Sequence, residues 1–131
     1  MKMIVPNGIA SGGHYSPAVQ AGDFIFVAGQ TPRNADRQVV GVTIEEQTAA
    51  ALRNLESILK AAGAGLDDVV KTTVHLLDLT EAQRFNAVYA SFFPRMRPAR
   101  TTVGSQLNGV RVEIDAIAYV GRNNEGANIV Q

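Results

Sequence analysis

The sequence predicts an α+β fold with two helices packed on one face of a sheet. Three observations point there: two amphipathic helical stripes with their own start signals, short β-rich runs around them, and a last strand whose two faces differ in chemistry. At 131 residues the chain has room for one core and not for two, so residues 1–131 are expected to form one domain with the ends 1–11 and 121–131 frayed.

Ala18 to Gln20 and Phe24 to Ala28 are extended runs broken by Ala21-Gly22-Asp23, which predicts an opening hairpin. The second run is apolar on both faces, as in a strand with cover on each side, and it ends at the turn Gly29-Gln30-Thr31-Pro32. Thr43 and Glu46 make a T-x-x-E capping box. Ile44, Thr48, Ala51, Leu52, Leu55, Leu59 and Ala62 then recur at helical spacing, predicting a helix over 44–62 that Gly63 and Gly65 terminate.

From 69 to 79, Val70, Thr72, Val74 and Leu76 alternate with Lys71, Thr73 and His75, which predicts a strand. Thr80 with Gln83 suggests a second capping box. Phe85, Val88, Tyr89 and Phe92 form the stripe of a helix over 81–92, stopped by Pro94. Two further strands, 100–105 and 110–120, flank Asn108-Gly109, a strong hairpin dipeptide. In the last of them Val112, Ile114, Ala116 and Ala118 can face the helices. Arg111, Glu113, Asp115, Ile117 and Tyr119 line the other face, and such a mixed face suits a subunit interface, so a homo-oligomer is expected.

Composition narrows the function. Twelve basic residues balance twelve acidic ones, so net charge favours neither nucleic acid nor an anionic membrane, and the expected partners are small molecules or proteins. Without cysteine there is no disulfide and no thiol nucleophile, and His14 and His75 alone make a metal site a poor expectation. No leader or spanning stretch is visible, so the cytoplasm is the default compartment.

Nucleophile elbows, zinc motifs and phosphate loops are also missing; Gly12-Gly13 lacks the helix start that would make it a phosphate cradle. Chemistry must then rest on arginine, carboxylate, tyrosine and backbone groups. Arg100, opening a strand after Pro98-Ala99, is either a carboxylate clamp or one half of an ion pair, the commoner use of such a residue. Glu113, mid-strand among apolar residues, is either a water-activating base or an interface partner. A two-residue turn at Asn108-Gly109 would put Arg100, Thr102, Glu113 and Asp115 on one side of a hairpin. Tyr15 is either a lid residue with a phenolic hydroxyl or an aromatic pinning its loop.

Gly13 to Val19, Val27 to Pro32, Asn86 to Phe93, Pro98 to Val103 and Val112 to Ala118 are ordered motifs over most of the chain, from about Gly13 to Tyr119, and together they resemble those of the Rid (YjgF-like, reactive intermediate deaminase) family. Gly13-His14-Tyr15-Ser16-Pro17-Ala18-Val19 is similar to its G-x-Y-S-x-A-V opening, and Val27-Ala28-Gly29-Gln30-Thr31-Pro32 to its V-S-G-Q-x-P turn. Asn86 to Phe93 resembles N-x-x-Y-x-x-F-F. Pro98 to Val103 and Val112 to Ala118 resemble the P-A-R-[ST]-x-V and V-E-I-E-A-I-A strands. The resemblance implies a chorismate-mutase-like α+β fold assembled as a homotrimer with clefts between subunits. It also implies hydrolysis of 2-aminoacrylate-type enamines and imines to 2-keto acids and ammonia, without metal or organic cofactor.

By the same resemblance Arg100 would clamp the substrate carboxylate, Glu113 would activate water and Tyr15 would close the cleft. Ala28, Gly29, Asn86 and Thr102 would help to hold the substrate. Two departures touch the cleft: Ala28 replaces the family's turn serine, and the segment between Val103 and Glu113 is about two residues short and lacks the usual proline. A deaminase of a larger amino acid derivative, or a non-catalytic trimeric acid-binding or chaperone-like module, are the alternatives.

Overall fold

A computed structural model describes residues 1–6 and 12–121. Its strands are β1 (Lys2–Ile4), β2 (Ala18–Ala21), β3 (Phe24–Gln30), β4 (Val69–Leu76), β5 (Ala99–Gly104) and β6 (Val112–Tyr119), with helices α1 (Ile44–Ala61) and α2 (Ala82–Phe92). The six strands form one mixed sheet in the order β1-β2-β3-β6-β4-β5, parallel only between β4 and β5. Both helices lie on one face, α1 packing on α2, β3 and β6.

The expected opening hairpin forms, turning at Gly22 with φ of 59°, and Lys2–Ile4, expected to fray, adds β1 to its edge. No helix among the described residues is long and apolar enough to cross a membrane. The expected tail beyond Gly121 lies outside the described residues.

The start of α1 is the capping box its sequence promised. The Thr43 side chain accepts from the Glu46 N–H, while the Glu46 carboxylate accepts from the Val42 and Thr43 N–H groups. Those bonds hold the Glu46 carboxyl below its usual range, so this stabilisation is present at neutral pH and fades as acid protonates the group. Ile44, Ala51, Leu52, Leu55, Ile58 and Leu59 are fully buried, each large one contributing roughly 1.5–3 kcal/mol. At the other end Gly63 takes a φ of 80°, the left-handed conformation the sequence reserved for glycine there.

The expected second capping box does not form. Asp78, not Thr80, is the cap: its carboxylate accepts from the Thr80 N–H and hydroxyl and starts a 3₁₀ turn, Leu79–Glu81, that leads into α2. That turn also ends β4 at Leu76, three residues short of the expected strand end. A register shift between Val69 and Lys71 buries Val69 and exposes Val70, reversing the assignment there, whereas Thr72, Val74 and Leu76 face the core as expected.

The largest correction concerns β5 and β6. They do not pair around Asn108-Gly109, because β4 lies between them: β5 returns parallel to β4 through α2, and β6 inserts antiparallel between β4 and β3. Burial explains the choice. Val112, Ile114, Ala116 and Ala118 on β6 are almost fully buried and need neighbours on both sides, while β5, mostly exposed, suits an edge. Gly109 does turn the chain, with φ of 76°, but as a bend in the 105–111 connection, where the Arg33 guanidinium donates to the Asn108 carbonyl.

The sheet face away from the helices is open in one chain. Phe24 and Phe26, expected to have cover on both sides, are 42% and 45% exposed there, and the Phe24 ring packs against Tyr119 at a 51° tilt with centroids 5.1 Å apart. Further along the same face lie Ile117, Asp115 and Glu113 of β6, with Lys71, Thr73 and His75 of β4.

Candidate functional site

Arg100 sits on edge strand β5, in register with Thr72 of β4, and its side chain lies over α2 on the helix face. Its guanidinium carbon is 4.8 Å from the centre of the Tyr89 ring and 5.6 Å from that of Phe85, and Nη1 donates to the Asn86 side-chain oxygen at 2.8 Å. Among the described residues no carboxylate lies within ion-pair reach of Arg100, unlike Arg84, Arg95 and Arg111. The ring floor contributes about 0.5–1 kcal/mol at such an exposed position, and one amide fixes the tilt of the fork.

Arg100 borders an open cleft of about 460 Å³, lined also by Asn86, Tyr89, Phe93, Pro98 and Arg97, a second cation. Tyr89 shares a 2.8 Å hydrogen bond with the Thr72 hydroxyl. Burial pushes the Tyr89 hydroxyl up from its ordinary value, against the opposing effects of Thr72 and Arg100, so it stands beneath Arg100 as a neutral phenol at neutral pH. Thr102, two residues along β5, shares this face.

Glu113 belongs to a different surface. It lies on the open face of the sheet, directly opposite His75 across the β6–β4 pair, and its carboxylate rests on the backbone of Gly29. A Cβ at Gly29 would stand 2.5 Å from Glu113 Oε2, so glycine is what lets the carboxylate settle there. A register irregularity between Val27 and Gln30 loosens β3 from β6 at this point. Ala28 uses its N–H on the Pro17 carbonyl at 2.9 Å, which ties the strand to the segment that carries Tyr15. The Tyr15 hydroxyl accepts from the Gly12 N–H at 3.1 Å, and its ring is half exposed. His75 is hydrogen-bonded, at 2.8 Å, to the Ser105 hydroxyl.

The expected charged cluster therefore divides in two. Arg100, Asn86 and Thr102 share the helix face at the β5 edge, while Glu113, Gly29, Ala28 and the Tyr15 segment gather on the β3 side. Arg100 and Glu113, two strands apart, point to opposite faces, because β4 separates the strands assumed to pair. Phe85 and Tyr89, which form the floor of the arginine site, were legible only as a core stripe. Among the described residues no cluster of three potential metal ligands exists.

The family model described as Endoribonuclease L-PSP matches residues 6–120. The chain belongs to the Rid family. This Rid protein is 46% identical over 110 residues to a RutC family protein of Pyrococcus abyssi, covering 82% of this chain and 87% of that one. It is 41% identical over 112 residues, 83% of each chain, to a mouse protein named 2-iminobutanoate/2-iminopropanoate deaminase. Among solved structures, Escherichia coli TdcF with bound serine superposes with a TM-score of 0.85 at 30% identity, covering 91% of this Rid chain and 98% of that one.

Proposed function

We propose that this Rid protein hydrolyses reactive 2-imino acids and their enamine tautomers, including 2-aminoacrylate, to 2-keto acids and ammonia in the cytoplasm. The observation that carries this is Arg100: an aligned guanidinium, cushioned on two rings, held by Asn86 and without a carboxylate partner among the described residues. Such a fork is made for a substrate carboxylate. The mouse relative's name supports the reaction class.

The chemistry needs little else. An imine carbon is already electrophilic, so charge neutralisation, orientation and one positioned water suffice. Glu113 takes a proton as water adds to the carbon of the protonated imine, giving a carbinolamine; it returns that proton to nitrogen, and ammonia leaves as Glu113 takes the hydroxyl proton and the carbonyl forms. Since Arg100 and Glu113 lie on opposite faces of one sheet, the complete site is proposed to form between copies in a homotrimer, Arg100, Asn86 and Thr102 coming from one copy and Glu113, Gly29, Ala28 and Tyr15 from the next. The exposed Phe24, Phe26 and Tyr119 face supplies apolar area for that contact.

A second reading, an acid-binding module without turnover, is favoured by the serine bound to TdcF. The test is an amino acid oxidase that generates imino acids, with semicarbazide trapping what survives. Wild type should accelerate imine loss, and Glu113→Gln should lower kcat by about 10²-fold or more with keto-acid binding retained. Wild type indistinguishable from buffer across small and bulky imines would favour the binding module. A preference for bulky imines would fit Ala28 and the shortened 104–111 segment and point to a larger amino acid derivative.

A further inference from the structure

The 33–39 turn holds an arginine in a conformation that favours glycine. Arg37 has a φ of 64°, the only non-glycine residue among those described with positive φ. A bulky side chain there costs on the order of 1 kcal/mol or more, and it persists only where its surroundings over-determine it. They do so here. The Arg37 N–H donates to the Asn34 carbonyl, and the Arg37 carbonyl accepts from Arg33 Nη1, both at 2.9 Å. The Asn34 side chain accepts from the N–H groups of Asp36 and Gln38, and Arg33 is itself anchored through Asn108.

What this frame presents is a guanidinium at the Tyr15 segment. A Cβ at Gly12 would lie 2.6 Å from Arg37 Nη2 and 3.5 Å from the Tyr15 hydroxyl, so the cation, the Gly12 backbone and the phenol form one group. Among the described residues no carboxylate pairs with Arg37, whereas Arg84 binds Glu45, Arg95 binds Asp67 and Arg111 binds Glu81. Asp36, its chain neighbour, makes no ion pair with it.

We infer that Arg37 is a second anion-binding residue, on the Tyr15 side of the site, and selects imino acids whose side chain ends in a carboxylate. The inference rests on the reading that Tyr15 closes over a substrate held by Arg100. With the α-carboxylate on Arg100 of one copy and Tyr15 of the next closing over it, a substrate side chain directed at Tyr15 would meet the Arg37 fork, which can take a second carboxylate by paired hydrogen bonds.

Arg37→Gly is the informative variant, because glycine adopts the same φ without strain and only the guanidinium is lost. Hydrolysis of the imines of glutamate and of 2-aminobutyrate would be compared, alongside calorimetric binding of 2-oxoglutarate and 2-oxobutanoate to the full chain. Wild type should prefer the diacid in both assays. Arg37→Gly should weaken the diacid about ten-fold, chiefly in KM and Kd, and the monoacid less than two-fold, with Arg37→Lys in between. Equal effects on both acids, no effect on either, or no diacid preference in wild type would overturn the assignment. If no imine is hydrolysed at all, the deaminase reading fails, and the two keto-acid affinities still decide the role of Arg37.

Discussion

Arg100→Ala is expected to lower kcat/KM for imine hydrolysis by about 10²–10³-fold, some 3–4 kcal/mol of transition-state stabilisation, and to weaken keto-acid binding as well. The size follows from what the guanidinium does in the proposed reaction. It neutralises the substrate carboxylate, and by gripping two oxygens it fixes where the imine carbon sits relative to the water. Arg100→Lys should recover little, because an ammonium cannot keep the Asn86 hydrogen bond, lie flat over the Tyr89 and Phe85 rings and offer a fork at once. Folding should be nearly unaffected, since Arg100 is exposed on an edge strand and joins no ion pair among the described residues. The trapping assay checks the rate and a melting curve the fold. A lysine variant with wild-type kcat/KM would mean that simple charge suffices and that the fork geometry is irrelevant.

The largest effect on stability is expected from Ile114→Ala, about 3–4 kcal/mol. Ile114 is fully buried at the middle of β6, the strand that joins the two halves of the sheet, opposite Val74 on one side and Gln30 on the other. Truncation leaves a cavity among fixed neighbours that cannot collapse into it. Urea unfolding should show the loss as a lower midpoint with little change in slope, and the melting temperature should fall by roughly 10 °C. A loss below about 1 kcal/mol would mean that the helix-side layer is not the core of the fold. Ile117→Ala, one pleat over on the open face, is the control: its cost should be smaller in the isolated chain.

These two residues also mark how much the sequence made legible. Ile114 was readable because alternation is a local property: Val112, Ile114, Ala116 and Ala118 announce a buried face whatever strands flank it. The same holds for α1, where stripe, cap and stop agreed. The position of β5 was not readable. Asn108-Gly109 gives the chain the ability to turn, but partner choice was settled by non-local burial, which gave the central place to β6 and left β5 on the edge. At Thr80 a neighbouring carboxylate, Asp78, took the Thr80 N–H and hydroxyl and became the cap instead.

The site was legible unevenly for the same reason. Motifs singled out Arg100, Glu113, Asn86, Gly29 and Tyr15, yet residue type alone left Arg100 open between an ion pair and an anion clamp. What supports the clamp is a spatial fact, the absence of a carboxylate beside Arg100 among the described residues. Phe85 and Tyr89 carried an ordinary core pattern, and nothing in their spacing revealed that one edge of that core supports a cation. Arg37 carried no signal at all, because the turn sequence around it gives no hint that a non-glycine residue takes positive φ.

The separation of Arg100 and Glu113 by one sheet gives the proposed enzyme a genetic property. A chain with Arg100→Ala and a chain with Glu113→Gln are each damaged in a different half, so in the proposed trimer mixed assemblies would contain boundaries where an intact Arg100 meets an intact Glu113. With random mixing in a cyclic trimer, about a quarter of the sites regain both groups. Co-refolded mutants should therefore recover up to that share of wild-type activity, while each alone stays at about a hundredth of it or less. A cell carrying both defective alleles would then outperform a cell carrying either one.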